Sequence, residues 1–146
     1  MCPYDACVRI PFAVYRPGTQ GGVDDAFVSI VDLAPTILDL TGAPAIAGRD
    51  GTSFAARLGD GSIGSEEPQA VFLEWAGDER MPAWRAVRTV DFTLIRYADG
   101  FEELYDLRGR FGAPDPWESV NRARDPRASG VAERLRALLG RVLGPG

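Results

Sequence analysis

The side chains able to do chemistry are restricted in this sequence. All sixteen basic residues are arginine, and histidine and lysine are absent. Histidine is the commonest general acid–base and the commonest metal ligand. A Ser-His-Asp triad, a Cys-His pair and a histidine-containing zinc site therefore cannot be built from this chain alone. Cys2 and Cys7 make no C-x-x-C, and with no further Cys or His they form no metal site. A disulfide closing so short a loop at a strand entry is expected to be strained, so both read as small apolar side chains. Three adjacent acidic pairs, Asp24-Asp25, Asp78-Glu79 and Glu102-Glu103, have the side chains for metal or proton work. Neighbours on a strand face opposite sides, and solvated loop charge is their expected role. The stretch "GDGSIG" at 59–64 has G-x-G-x-x-G spacing. Glu66, Glu67 and Pro68 follow where a phosphate-binding helix would have to open, so nucleotide binding is not expected.

Whatever chemistry the chain serves must be positioned by a modest set of elements. Its 146 residues, 45% hydrophobic and 25% charged, suffice for one core. Acids outnumber arginines up to Leu107, and arginines outnumber acids after it. From Arg122 onward the C-terminal arginines alternate with acids and apolar residues and have no interleaved aromatics, so a solvated helix face is expected rather than a nucleic-acid surface. No apolar run is long enough to span a membrane. The N-terminal residues have no basic region followed by a long apolar stretch, so no signal peptide is expected within this sequence, and the compartment stays open.

Val8–Tyr15 reads as a strand interrupted by Pro11, which points to an edge or a bulge. In "DDAFVSIVDLAPTILDLTG" the apolar residues follow a helical stripe. With Asp32 as N-cap, Pro35 falls in the first turn, where its missing N–H is harmless, and Gly42 closes the helix. Val28–Val31 is then an extended lead-in. A short helical piece is expected at Ser53–Leu58 within an otherwise Gly-, Ala- and Pro-rich connection. "AVFLEWAG" is a strand, and alternation from Val90 to Tyr97 with a turn at Ala98-Asp99-Gly100 predicts a hairpin returning over Glu103–Leu107. Residues 70–107 thus form three or four antiparallel strands. Asp125 caps a last helix with Pro126 at its first position and an apolar stripe of Val131, Leu135, Leu138 and Val142.

Four stretches, in order, resemble the C-terminal part of the arylsulfatase-type sulfatases. "YDACVRIPFAVYRPG" is similar to their Y-D/E-x-x-x-R-V/I-P strand ending in Pro-Gly. "VSIVDLAPTILDLTG" resembles their V-D-x-x-P-T-x-L-x-L-x-G helix, and "DGTSF" the D-G-x-S-L/F after it. "RAVRTVDFTLIRYADGFEELYDL" with "DPWESVN" resembles their closing sheet and its E-L-Y-D-L and D-P-x-E-x-x-N turns. The chain departs from the pattern at Arg108–Pro114, where extra residues intervene.

The resemblance implies an α/β (α+β) fold of alkaline-phosphatase-like type. Residues 1–69 would be the terminal strand–helix unit of a large α/β domain. Residues 70–146 would be a small antiparallel sheet with a packed C-terminal helix. It further implies that the sulfate-cleaving apparatus lies upstream: a formylglycine made from the Cys or Ser of C-x-P/A-x-R, a calcium ion on Asp and Asn oxygens, and Lys and His that grip sulfate. "CPYDA" fails that motif at Tyr4 and Ala6. No catalytic or metal residue is assigned here. The substrate-rim candidates are Trp75, Trp84, Arg85 and Arg9, of which Arg9 matches the arginine of the first strand motif. The expected partner is the N-terminal sulfatase domain, or another chain covering the same apolar face. An orphan strand would otherwise cause aggregation or oligomerisation. The alternatives are a stand-alone, non-catalytic binding module, or a piece of a related phosphomutase or phosphodiesterase.

Overall fold

The computed structural model describes residues 2–19, 21–48, 50–58 and 70–143. Two compact units result, Met1–Pro11 with Ala70–Gly146, and Phe12–Gln69.

The first unit is built on four strands, β1 (Ala70–Trp75), β2 (Trp84–Thr89), β3 (Phe92–Tyr97) and β4 (Glu102–Asp106), in the order β1-β2-β3-β4. All neighbours are antiparallel, with Trp75 opposite Trp84, Val87 opposite Leu94, and Leu94 opposite Leu104. The hairpin predicted from alternation is present, and Gly100, at φ 87°, occupies its turn. Val90 lies in the two-residue link between β2 and β3 rather than in the strand, and is exposed. The Thr89 hydroxyl tightens that link by accepting from Phe92 N (3.0 Å) and donating to Phe92 O (3.1 Å).

Strand periodicity sorts side chains onto two faces. Val87, Phe92, Leu94 and Leu104 meet Ala128 and, on α3 (Ser129–Leu143), Ala132, Leu135 and Leu139. A turn of 3-10 helix, Pro126–Ala128, leads into α3, and the Asp125 carboxylate accepts from Arg127 N (3.0 Å) as its cap. The buried stripe differs from the expected one. Val142 is exposed, and Ala132 and Leu139 take the centre, because small alanines let the helix axis approach the sheet. Arg136 of α3 grips Glu102 of β4 at 2.6–3.1 Å, and Arg96 adds a contact at 2.7 Å. The opposite face carries Trp84, Ala86, Ile95, Tyr105 and Leu107, packed with Tyr4, Leu73, Trp75, Met81 and Tyr97.

The expected strand at Val8–Tyr15 is not formed. Asp5–Val8 is a single helical turn, α1, and residues 9–16 carry no strand assignment. A strand exists only when its backbone groups find a partner, and no described strand of this chain pairs with it.

In the second unit a 3-10 turn at Ile30–Asp32 runs into α2 (Leu33–Thr41). The lead-in is therefore helical over Ile30 and Val31, not extended to Val31 as expected. Pro35 sits buried in the first turn. Gly42, at φ 68°, ends the helix, with Ala43 N bonding back to Leu38 O (2.9 Å). The short helical piece appears at Ala55–Leu58. The Gly-rich stretch 59–64 lies outside the described residues.

Candidate functional site

Each stretch that carries the family resemblance supplies groups that fasten it to another such stretch. In the first unit, the Tyr4 hydroxyl donates to the Glu103 carboxylate (3.2 and 3.3 Å), and Tyr97 donates to the same group (3.2 Å). Tyr4 also meets Tyr105 edge-on, with ring centroids 6.1 Å apart. Next in sequence, Asp5 forms a two-pronged pair with Arg88 of β2 (3.0 and 2.9 Å). Asp5 N donates to Glu118 Oε2 (2.6 Å). Glu118, only 7% exposed, has φ 54°, a left-handed backbone that a non-glycine residue adopts at a cost. The acceptor for Asp5 N is thereby aimed inward.

Burial dominates the electrostatics here. It pushes the Tyr97 and Tyr105 hydroxyls up, helped by Tyr4 and the negative charge of Glu103. Both phenols stay protonated and serve as donors or packing surfaces. Burial also raises Glu118, against the lowering influence of the Thr93 hydroxyl, the Asp5 amide and Arg88. Glu102 goes the other way. Its partial burial favours the neutral acid, but Arg136 and then Arg96 outweigh it and hold the carboxyl below its ordinary value.

The remaining motif positions are equally structural. The Asp106 carboxylate accepts from Arg110 N (2.8 Å) and Phe111 N (2.6 Å), which stitches down the extra residues 108–114. The Asp115 carboxylate accepts from Ser119 N and Val120 N (2.8–3.0 Å). Asn121 accepts from Leu104 N (3.1 Å) and donates to Glu102 O (3.0 Å), tying the turn to β4. In the second unit, Asp32 accepts from Ser29 N and Thr52 N (both 2.8 Å). Thr36 Oγ1 accepts from Phe54 N (3.1 Å), so the "DGTSF" loop is docked on the helix motif. Gly51, at φ 89°, leaves no room for a Cβ against the Val31 carbonyl.

The acidic pairs and the cysteines depart from expectation. Glu103 is buried and multiply bonded, and Glu102 is an ion-pair hub, so neither is solvated loop charge. Among the other pairs, Asp24 binds Arg57 (2.7 Å) and Asp78 accepts from Arg80 N and Met81 N (2.9 Å each). Cys2 and Cys7 are joined in a disulfide, with Cα atoms 5.9 Å apart. An extended chain would hold the two residues too far apart to join; the α1 turn brings them within bridging distance.

Of the rim candidates, Trp84 is 2% exposed and belongs to the sheet-face cluster. Trp75 is half-buried beside it. Arg85 is half-buried, 3.7 Å from Glu74 on β1. Arg9 is exposed, just after α1. The structure places Trp75, Trp84 and Arg85 at the adjoining ends of β1 and β2. The network of Tyr4, Asp5, Arg88, Tyr97, Glu103 and Glu118 was not singled out from sequence. Its signal was the chemistry of the motifs, each of which pairs an aromatic or acidic side chain with a turn.

Among the described residues, no three His, Cys, Asp or Glu side chains are grouped to hold a metal ion. With both cysteines joined to each other, neither is available for conversion to formylglycine. Among the described residues, then, no donor set is grouped as calcium requires, and no free cysteine is present for the aldehyde.

The family model for the C-terminal region of N-sulphoglucosamine sulphohydrolase matches residues 2–143. Arylsulfatase K of Danio rerio is 32% identical over 113 residues, 73% of this chain and 22% of the relative. Delta 4,5-hexuronate-2-O-sulfatase of Bacteroides thetaiotaomicron is 32% identical over 143 residues, 93% of this chain and 28% of the relative. A solved 2-O GAG sulfatase superposes with a TM-score of 0.64 at 34% identity, covering 75% of this chain and 23% of that one. The chain thus spans about a quarter of the length of these relatives. It belongs to the family of sulfatase C-terminal regions represented by N-sulphoglucosamine sulphohydrolase.

Proposed function

We propose that this chain is the closing portion of a sulfatase, a sulfuric ester hydrolase, and that it hydrolyses no sulfate ester unless a preceding α/β domain supplies the reaction centre. The family match along residues 2–143 carries this reading. The formylglycine and calcium of that chemistry belong to the preceding domain, where they generate the nucleophile and stabilise developing charge. Trp75 and Arg85 are the rim contributions of this chain, with Trp84 as their buried backing, and Arg9 is the earliest of the rim candidates in the sequence.

The partner surface is read from residues 10–15. Ile10, Phe12 and Val14, at alternate positions, are all exposed, and Tyr15 is 90% exposed. An extended segment with apolar side chains at period two suits insertion beside a strand of a larger sheet. In the second unit, Phe12, Val14, Leu33, Ile37, Leu40 and Phe54 line an open apolar groove of about 290 Å³. The preceding sulfatase domain is the occupant we assign to both.

Co-expression tests the proposal. The Bacteroides thetaiotaomicron relative, cut before the matching quarter, is expressed with and without this chain. A co-purifying complex that cleaves an aryl sulfate, with no turnover by the 146-residue chain alone, is expected. Turnover by the chain alone overturns the proposal. A clean monomer at moderate concentration that ignores the truncated relative supports instead a stand-alone interaction module.

A further inference from the structure

Only four residues separate Cys2 from Cys7, and three of them are the anchors of the N-terminal segment. Pro3 is fully buried. Tyr4 is bonded to Glu103, and Asp5 to Arg88 and Glu118. The helical turn that carries Cys7 has few hydrogen bonds of its own to hold it. α1 is a single turn, closed by Cys7 N and Val8 N on Tyr4 O (2.8 and 3.1 Å) and Arg9 N on Asp5 O (2.9 Å). One isolated helical turn is unstable in water, because nucleation fixes several dihedrals for very few hydrogen bonds. The disulfide supplies the missing constraint, and Cys7 is exposed where a thiol can reach it.

We propose that the Cys2–Cys7 bond is a redox-responsive lock on the clasp that fixes Tyr4 and Asp5 to the sheet, opened by thiol–disulfide exchange with a dithiol. The exchange proceeds at the exposed sulfur. A thiolate of the dithiol attacks Cys7 Sγ, the Sγ–Sγ bond breaks, and Cys2 leaves as a thiolate that takes up a proton. The second thiol of the reductant then displaces Cys7 as a thiol, and the reductant ends as a cyclic disulfide. Two electrons and two protons pass to the protein. This inference concerns the chain by itself and does not depend on the sulfatase reading.

Closing a loop of this length lowers the population of open segments by on the order of 10- to 50-fold in the chain-entropy account. Amide hydrogen exchange of the 146-residue chain, oxidised and after dithiothreitol, reads that ratio. The Asp5, Cys7, Val8 and Arg9 amides are expected to exchange faster by that factor after reduction. The β2 and β3 amides should hold their rates, and protection should return on reoxidation with glutathione disulfide. A Cys2→Ser, Cys7→Ser double variant should show the fast pattern without reductant and no response to it. Unchanged exchange after complete reduction overturns the proposal. So does acceleration that spreads equally through the sheet, which would make the bond a global stabiliser, and so does mass spectrometry finding two free thiols in chain purified without reductant.

Discussion

Residues 70–143 and residues 12–58 use the same fastening chemistry to different ends. In the sheet unit, Glu103, Glu118 and Asn121 catch hydroxyls and amides from distant stretches, and the strands between them are covered on both faces. In the helix unit, Asp32 and Thr36 catch Thr52 N and Phe54 N just as directly. Yet Ile30, Val31, Ile37, Leu40 and Ile46 remain exposed there. Hydrogen bonds set the local geometry in both units. Burial of apolar surface stabilises more strongly; the sheet unit builds its core from it, although Phe101 and Trp117 stay exposed there, and the described residues of the helix unit bury much less. Motif conformity and a finished core are therefore separate properties: the described residues of the second unit match the motif while leaving these apolar side chains exposed.

The sharpest break of this contrast is a cavity under α3. Leu94 is fully buried between β2, β4 and the helix. Leu94→Ala should cost the sheet unit about 3 kcal/mol, read as a fall in its urea midpoint. Tryptophan fluorescence follows the transition, since all three tryptophans lie at or beyond residue 75. The equivalent truncation Ile37→Ala, at an exposed site of α2, should move stability by less than about 0.5 kcal/mol in the isolated chain. An equal loss at both sites would show that the helix unit has a closed core after all.

Next in size is the clasp. Glu103→Ala leaves two tyrosine hydroxyls without their acceptor in a half-buried site, and about 1–3 kcal/mol should be lost. Thr36→Val removes the acceptor of one buried amide in the helix unit, and about 1–2 kcal/mol of local stability should go with it. Exchange of the Phe54 amide reports the second effect, while the sheet amides keep their rates.

The smallest effects are pH-dependent and of opposite sign. Glu102 is held below its ordinary value by Arg136 and Arg96 against the effect of burial. Its contribution is present above the unfolded value and is lost as pH falls through the carboxylate range. Glu118 is raised, chiefly by burial. Its protonated form is favoured in the fold, so its contribution is full in acid and declines as pH rises through its folded value. In thermal melts across the acid range up to neutrality, Glu102→Gln should flatten the acid limb of the stability profile. Glu118→Gln should stabilise relative to the parent at neutral pH and converge with it in acid. Parallel shifts at all pH values for both variants would contradict these assignments.

The sequence by itself determined the elements whose signals are local. The Val90–Tyr97 alternation located β3, Asp125-Pro126 located the entry to the last helix, and Gly42 located the end of α2, because periodicity and capping act within a few residues. The order of four motifs determined the family. Tertiary structure alone decided the rest. Val8–Tyr15 has strand composition but no described strand to pair with, and a strand is a property of two segments. Glu103 looks like any surface glutamate until Tyr4, 99 positions away, is brought to it. Cys2 and Cys7 became a bridge because one helical turn replaced the extended chain that their spacing suggested.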